Sequence, residues 1–288
     1  MQIVLISGLS GSGKSVALKV LEDARFYCID NLPAKFLPGM AQHLLLAGER
    51  KIAINIDARS GDTLDDLPKA IADVRDQGAD VRILFLEANT ENLVKRFSET
   101  RRHHPLMEDG RTLTKAIVLE QTKLAGIAEL AHRIDTSDIS PNTLRGWIKD
   151  FIALDQSRLT LYFQSFGFKH GIPLDADLVF DARMLPNPFY DPRLRPLTGK
   201  DQEVIDFLDN LPVAQELLND IHTFLARWLP SFARDNRSSV TVAIGCTGGQ
   251  HRSVYLVERL AERFRPQVQV LVRHRNLWHL PANERASA

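Results

Sequence analysis

The stretch GLSGSGKS, Gly8 to Ser15, decides the fold of the first half of this chain. It follows the apolar run IVLI and precedes SVALKVLEDARF, whose apolar residues recur at helical spacing. A Gly-x-x-x-x-Gly-Lys-Ser pattern between a strand and a helix is typical of phosphate-binding loops in α/β proteins. The stretch therefore predicts a buried strand, a glycine-rich loop and a helix.

Each part of this loop has a chemical role in the prediction. Glycines let successive backbone N–H groups point inward at phosphate oxygens, and the following helix presents its positive end. Lys14 is expected to reach the β- and γ-phosphates, and Ser15 to bind Mg²⁺. The residues expected to contact the nucleotide here are Gly8, Leu9, Ser10, Gly11, Ser12, Gly13, Lys14 and Ser15.

Four further segments read as strands that end on acidic residues: FYCIDN, KIAINIDAR, VRILFLEA and HRIDTSD. They alternate with helical patterns, which predicts a parallel sheet wrapped by helices, with its ligand at the carboxyl ends of the strands. Asp57 is the better candidate to orient Mg²⁺, and Asp30 is the alternative; either could instead be a strand-end cap. The predicted catalytic residues are thus Lys14, Ser15 and Asp57, with Ser15 and Asp57 at the metal.

The segment RFSETRRHHP, Arg96 to Pro105, concentrates basic residues after a helix. Its arginines could form a lid over the γ-phosphate, as in small-molecule kinases. The alternative is an ordinary solvated helix end.

The second half repeats the strand–loop–helix logic. SRLTLYFQSFG, DADLVFDAR, SSVTVAIG and QVQVLVRHR read as strands, NLPVAQELLNDIHTFLARWLPSFA and SVYLVERLAERF as helices, and MLPNPFYDPRLRPLTGKD as a long ordered loop. GCTGGQHRS then predicts a second anion site at a helix start, for a phosphate or a carboxylate. Its expected ligands are Cys246, Thr247, Gly248, Gly249, His251, Arg252 and Ser253. A purely structural turn is the alternative.

Cys246 and Arg252 also have the Cys-x5-Arg-Ser spacing of cysteine-dependent phosphatases. The residue before the cysteine is Gly245, not the histidine common in those enzymes. A small buried hydrophobe is the alternative role for this cysteine.

Composition limits the function classes. A chain of 288 residues with 44% hydrophobic residues can form two domains, here placed at 1–153 and 154–288. Basic and acidic residues number 36 each, so no global charge attracts nucleic acid or membrane. Two cysteines are too few for a disulfide framework, and no apolar stretch is long enough to span a bilayer. A cytoplasmic, non-membrane protein is expected.

With both loops in view, the chain resembles the RapZ family of P-loop nucleotide-binding proteins. The resemblance rests on GLSGSGKSVALKVLED, FYCIDNLP, TRRHHPL, FQSFGFKHGIPLDADLVFDAR, LPNP, DPRLRPLTG and VAIGCTGGQHRSVYLVERLA, which spread over nearly the whole chain.

The resemblance implies a kinase-like N-terminal domain that binds and slowly hydrolyses ATP and GTP. It implies a second nucleotide contact at Asp57, Ala58, Arg59 and Ser60. The C-terminal domain would resemble a phosphofructokinase domain. In enterobacteria the family acts as an adapter that presents small RNA to a ribonuclease and senses an amino-sugar phosphate. A homo-oligomer is expected as well.

The C-terminal tail departs from the strongly basic enterobacterial pattern, because the last residues, LPANERASA, are nearly neutral. RHRNLWH keeps Arg273, His274, Arg275 and Trp278, which could grip single-stranded RNA or form an ordinary solvated strand end. Weaker, salt-dependent RNA affinity is expected.

Three functions are compatible with these patterns. The first is a regulator with slow ATPase and GTPase activity, since no residue is evidently placed to activate water. The second is a small-molecule kinase with Asp30 as the base. The third is an RNA-binding adapter that nucleotide switches.

Overall fold

The computed structural model describes residues 1–59, 64, 66–100, 103–108, 110–154, 159–234 and 239–277. The chain divides into two compact units, Met1–Leu154 and Asp155–Ala288. Each unit contains a parallel sheet and helices, as the alternating pattern predicts.

In the first unit, the described residues form a five-stranded parallel sheet in the order β2-β3-β1-β4-β5. The strands are β1 (Gln2–Gly8), β2 (Tyr27–Ile29), β3 (Lys51–Asn55), β4 (Asp80–Glu87) and β5 (His132–Asp135). β1 is central and pairs with β3 and β4. Ile3, Val4, Leu5 and Ile6 are all buried, which is why this strand is apolar without alternation.

Six helices accompany this sheet in the described residues. They are α1 (Lys14–Asp23), α2 (Leu37–Leu46), α3 (Leu67–Asp76), α4 (Thr90–Thr100), α5 (Leu113–Leu130) and α6 (Pro141–Ala153). Local sequence sets two of their starts. The side chains of Thr112 and Ser140 accept hydrogen bonds from backbone N–H groups three residues on, and Pro141 occupies the first turn of α6.

In the second unit, four described strands pair in parallel in the order β7-β8-β6-β9. They are β6 (Thr160–Gly167), β7 (Leu178–Asp181), β8 (Ser239–Cys246) and β9 (Gln269–His274). The helices are α7 (Gln202–Asp209), α8 (Pro212–Arg234) and α9 (Arg252–Phe264). The sequence pattern predicts α8 and α9; α7 was not predicted, because it directly follows the Pro- and Gly-rich loop.

The aromatic residues of β6 belong to the core. Tyr162, Phe163 and Phe166 are at most 1% exposed. No helix in the described part of the chain is long and apolar enough to cross a membrane.

Candidate functional site

The Gly8–Ser15 loop joins the central strand β1 to helix α1, as its sequence predicts. Gly8 has φ +137°, and a Cβ there would lie 2.0 Å from the carbonyl oxygen of Leu86 on β4. Gly13 has φ +106° and caps α1. Only glycine meets both conditions, so the loop curls tightly between two strands and the helix start.

Lys14 turns back under this loop. Its Nζ donates to the carbonyl oxygens of Gly8, at 2.6 Å, and Leu9, at 3.1 Å. Burial lowers the pKa of the Lys14 ammonium, and the nearby carboxylates of Glu120 and Asp57 oppose this shift only in part. A phosphate would give this poorly solvated cation the anionic partner that the loop carbonyls only partly replace.

Asp57 stands two residues beyond β3 and is almost fully buried. Burial alone would raise its pKa, but hydrogen bonds from the Arg59 side chain and backbone outweigh burial and lower it. Arg59 Nη2 lies 2.6 Å from Oδ2 of this carboxylate. Asp57 and Arg59 face the same cleft as the loop. Ala58 is buried beside them, and Ser60 lies outside the described residues.

Asp30, the alternative metal residue, lies at the end of the neighbouring strand β2. Its carboxylate accepts a hydrogen bond of 2.6 Å from Asn55 Nδ2. Asp30, Asn55 and Asp57 therefore line one wall of the cleft together, at the carboxyl ends of β2 and β3.

The cleft has a volume of about 710 Å³. The residues from Ser10 to Val16, which include most of the phosphate loop, line it. Its other wall carries apolar side chains after β5, namely Ile139, Pro141 and Leu144. Polar and apolar side chains therefore both line the cleft, which suits a ligand with a charged tail and a flat ring.

A magnesium ion fits the wall of the cleft that Ser15 and Asp57 line. Ser15 is exposed at the first turn of α1 and lines the cleft with Asp57. In the described residues no cluster of three or more His, Cys, Asp or Glu side chains could hold a metal without help. Mg²⁺ usually takes one or two protein oxygens and completes its shell with water and phosphates, so this sparse donor set suits it.

Arg96 is the described arginine of the basic segment that reaches the loop. Its Nη1 donates to the Gly11 carbonyl and the Thr136 hydroxyl, each at 3.0 Å, and its Nη2 donates to the Thr136 carbonyl at 2.6 Å. It braces the phosphate loop from α4, so a solvated helix end does not describe it. Arg101 and Arg102 lie outside the described residues.

Sequence reasoning missed Glu120, a residue of α5 that is fully buried beneath the loop. Its carboxylate accepts from the Ser10 backbone N–H at 2.8 Å and from the Ser10 hydroxyl at 2.7 Å. The ring of His104 adds a third contact, at 3.1 Å. No local signal could have found this contact, because Glu120 is 110 residues from Ser10 and sits in an ordinary helical pattern.

The second glycine loop follows β8 and begins α9. Gly249 has φ +76°, and its N–H lies 3.2 Å from Cys246 Sγ. The Ser253 hydroxyl is also 3.2 Å from this sulfur. The structure therefore brings Cys246, Gly249 and Ser253 together. Thr247 is exposed at the tip of the loop.

His251 and Arg252 are used differently from the prediction. Both are buried, and His251 Nε2 contacts the Leu194 carbonyl at 3.1 Å. Arg252 Nη1 donates to the carbonyls of Arg183 and Leu185, at 3.1 and 2.9 Å. Its Nη2 donates to the Thr247 hydroxyl of the loop itself, at 3.3 Å. The guanidinium thus joins the loop to the chain that follows β7, while Thr247 stays exposed and Gly248 half-buried.

The cysteine-phosphatase hypothesis loses support for the same reason. Cys246 is 3% exposed, and the arginine that would hold the phosphoryl oxygens donates to the carbonyls of Arg183 and Leu185 and to the Thr247 hydroxyl instead.

The RNA-gripping interpretation of RHRNLWH is wrong for its arginines. Arg273 and Arg275 are 2% and 6% exposed, and Arg273 stacks on Tyr162 with its guanidinium carbon 4.4 Å from the ring centre. These two arginines pack inside the fold, so neither a nucleic-acid grip nor a solvated strand end describes them. Trp278 lies outside the described residues.

Comparison with known families covers both units. Residues 1–156 match the RapZ-like N-terminal domain, and residues 159–278 match the RapZ C-terminal domain. The chain belongs to the RapZ family. The family resemblance inferred from the two loops is thereby confirmed.

Relatives within this family carry the same coarse description. A nucleotide-binding protein of Thiobacillus denitrificans is 60% identical over 277 residues, covering 96% of this chain and 100% of its own. One from Azoarcus sp. is 59% identical over 277 residues, covering 96% and 95%. This protein is thus a member of a family of nucleotide-binding proteins.

Some solved structures align with about half of this chain. A shikimate kinase from Bacteroides thetaiotaomicron has a TM-score of 0.37 at 12% identity, over 53% of this chain and 98% of its own. A sugar kinase from Janibacter sp. has a TM-score of 0.35 at 17% identity, over 53% and 95%. The likeness of the C-terminal domain to a phosphofructokinase domain stays a prediction.

Proposed function

We propose that this protein binds ATP and GTP with Mg²⁺ in the cleft of its first unit, hydrolyses them slowly and acts as a cytoplasmic regulator. The observation that carries this proposal is the position of Lys14. Its desolvated ammonium is folded against the carbonyls of Gly8 and Leu9, inside a loop whose shape suits phosphate.

The roles of the other residues follow from their positions. Ser15 would bind the metal directly, and Asp57 would orient the metal or its water. The nucleoside would lie against Ile139, Pro141 and Leu144, because a base packs best on the apolar side chains of the cleft wall.

Slow turnover is expected from the hydrogen bonding of the acids in the cleft. Asp57 is held by Arg59, and Asp30 accepts from Asn55. Arg59 engages both oxygens of Asp57, which is therefore poorly placed to take a proton from an attacking water. The kinase hypothesis, in which Asp30 is the base, stays open, because Asp30 is exposed and its hydrogen bond from Asn55 uses only Oδ1.

Phosphate release from ATP and GTP tests this function, with wild type compared with Lys14→Ala. Lys19→Ala is the matched control, since it removes an exposed lysine from the same helix. Slow release that only Lys14→Ala abolishes supports the proposal. It would fail if wild type released no phosphate while Lys14→Ala bound both nucleotides as tightly as wild type.

A second candidate function is an adapter whose C-terminal unit senses an amino-sugar phosphate and binds small RNA for a ribonuclease. The observation that favours the sensing role is the accessible tip of the second loop. Thr247 is exposed, and a Cβ on Gly248 would be 3.9 Å from Lys169 Nζ. Backbone N–H groups and this ammonium could hold a phosphate together.

Titration with glucosamine-6-phosphate tests the sensing role. Lys169→Ala should weaken binding while Lys14→Ala leaves it intact, because the two lysines belong to different loops. No binding by wild type, or equal binding by Lys169→Ala, contradicts it. RNA binding is tested on the full chain at several salt concentrations. Because the C-terminal tail is not strongly basic, the RNA affinity should depend only weakly on salt. Mass measurement in solution tests the expected homo-oligomer.

A further inference from the structure

The phosphate loop is held from behind by residues that sequence patterns do not reveal. Both carboxylate oxygens of Glu120 accept hydrogen bonds from Ser10, one from its backbone N–H and one from its hydroxyl. Arg96 holds the next residue, Gly11, through its carbonyl. A Cβ on Gly11 would be 3.4 Å from the ring of Phe97. The outer half of the loop, Ser10–Gly11, is therefore fixed before any nucleotide arrives.

His104 orients the Glu120 carboxylate. The backbone N–H of Leu106 donates to His104 Nδ1 at 3.1 Å, so Nδ1 carries a lone pair and the hydrogen-bond network assigns the ring proton to Nε2. Nε2 then donates to Glu120 Oε2 at 3.1 Å. Both side chains are fully buried. A continuous chain of hydrogen bonds runs from residue 106 through His104 and Glu120 to Ser10.

This chain keeps the carboxylate ionised despite its burial. Burial raises the pKa of Glu120, but the hydrogen bonds from His104 and Ser10 outweigh it and lower the pKa. A buried charge with every oxygen in use has one geometry available to it. The position of Ser10 is therefore set by a rigid group.

The outer half of the loop is the part that meets the terminal phosphate. Helix α1 begins at Lys14, so its first N–H groups face the phosphate nearest the helix. The Lys14 ammonium, which would bridge the β- and γ-phosphates of a bound nucleotide, lies at the carbonyls of Gly8 and Leu9 beside Ser10. A γ-phosphate would sit against Ser10–Gly11, whereas a diphosphate ends before it.

We propose that Glu120, oriented by His104, is a positioning residue that sets the preference of this site for a nucleoside triphosphate over a diphosphate. The inference rests on the nucleotide site proposed above. Glu120 touches no nucleotide and acts through Ser10.

Calorimetric titration of the full chain with Mg-ATP and Mg-ADP tests this inference. Glu120→Gln should weaken ATP binding about tenfold and ADP binding less than about threefold, because one charge-assisted acceptor for Ser10 is lost. Removing a buried negative charge would by itself favour the more negative ATP. A selective loss of ATP affinity therefore reports position and not charge. Glu129→Gln, on the exposed face of the same helix, is the matched control.

Three further variants guard against a folding artefact. Ser10→Ala removes only the hydroxyl donor. It should lower the ratio of ATP affinity to ADP affinity by about threefold, in the same direction as Glu120→Gln. His104→Leu removes the orienting donor and should lower the ratio, whereas His104→Gln keeps an N–H donor and should restore part of it.

An unchanged ATP-to-ADP ratio in Glu120→Gln and Ser10→Ala, or equal losses for both nucleotides, would overturn the inference and leave the proposed nucleotide site standing. A wild type that binds neither nucleotide would overturn both.

Discussion

Arg59 closes a two-pronged ion pair on Asp57, two residues before it in the chain. Nη2 lies 2.6 Å from Oδ2, Nε lies 3.1 Å from Oδ1, and the Arg59 backbone N–H donates to Oδ1 at 2.9 Å. Asp181 and Arg183 repeat the same three contacts at the end of β7. The Asp-x-Arg sequence thus forms the same local ion pair at both positions. Of these two pairs, only Asp57–Arg59 lies beside the phosphate loop, because β3 ends beside β1.

Asp57→Asn should remove the magnesium-dependent part of ATP binding. The amide keeps the shape of the side chain but loses the negative charge that favours Mg²⁺ or its water, so ATP affinity in Mg²⁺ should fall about tenfold. Titrations with Mg²⁺ and with a chelator present measure this difference. Asp181→Asn is the matched control, since it changes the same local unit in the other domain. Equal losses with and without Mg²⁺ would contradict the metal role.

Acid should destabilise the first unit through Glu120. The pKa of Glu120 is lowered in the folded state, so its stabilisation is fully present above the unfolded pKa of about 4.3 and is lost as pH falls through the folded pKa. Urea unfolding between pH 6 and pH 3 measures this loss. The free energy of unfolding should fall further for wild type than for Glu120→Gln over this pH range. Parallel pH curves would contradict the prediction.

Lys14→Met should abolish nucleotide binding without lowering stability in the absence of nucleotide. Burial lowers the pKa of Lys14, so folding disfavours its charged form at neutral pH, and methionine fills the same space without that charge. The Tm of the nucleotide-free variant should equal or exceed that of wild type, and ATP should no longer raise it. A fall of the nucleotide-free Tm would show that the bonds to the Gly8 and Leu9 carbonyls stabilise the fold.

Gly8→Ala should cost more than about 3 kcal/mol of the free energy of unfolding, because its Cβ would overlap the Leu86 backbone. Gly48→Ala is the matched control. Gly48 also has positive φ, at +92°, but open space surrounds it, so the cost should be about 1–2 kcal/mol. Chemical denaturation measures both. Similar costs at the two sites would mean that β4 shifts to make room.

Arg252→Ala should destabilise the second unit by about 3 kcal/mol, because it leaves the carbonyls of Arg183 and Leu185 without their donor and opens a buried space. Thermal unfolding measures this loss. Arg265→Ala, at an exposed position after the same helix, should be near neutral. If Arg252→Ala kept the Tm of wild type but no longer bound the sugar phosphate, Arg252 would instead be an anion ligand, as its sequence predicts.

Much of the fold could be predicted from periodicity. The strand, loop and helix around GLSGSGKS and those around GCTGGQHRS have the order that their residues indicate. The helix α7 was not predicted. Its eight residues, between a proline-rich loop and another helix, make too few turns for helical periodicity to be recognised.

The candidate site divides in the same way. Lys14, Ser15 and Asp57 could be named from motifs because strand ends in a parallel sheet meet at one edge. The glycine loop predicts His251 and Arg252 as anion ligands, and the motif leaves Arg273 open between an RNA contact and a solvated strand end. The structure uses the donors of the first two and the stacking face of the third inside the fold. Burial depends on which segments cover a side chain, and no local pattern records that.

The sequence by itself determined the backbone path of both glycine loops and the Asp-x-Arg pairs, because φ preference, helix spacing and i to i+2 contacts act over a few residues. Only the tertiary structure decided that Glu120 lies under Ser10 and that Arg252 faces carbonyls. Those contacts join residues 67 to 110 positions apart. They exist because, within each unit, packing of the sheet and helices buries these polar side chains in a low-dielectric interior. There an unpaired polar group is costly, so each side chain must find a partner.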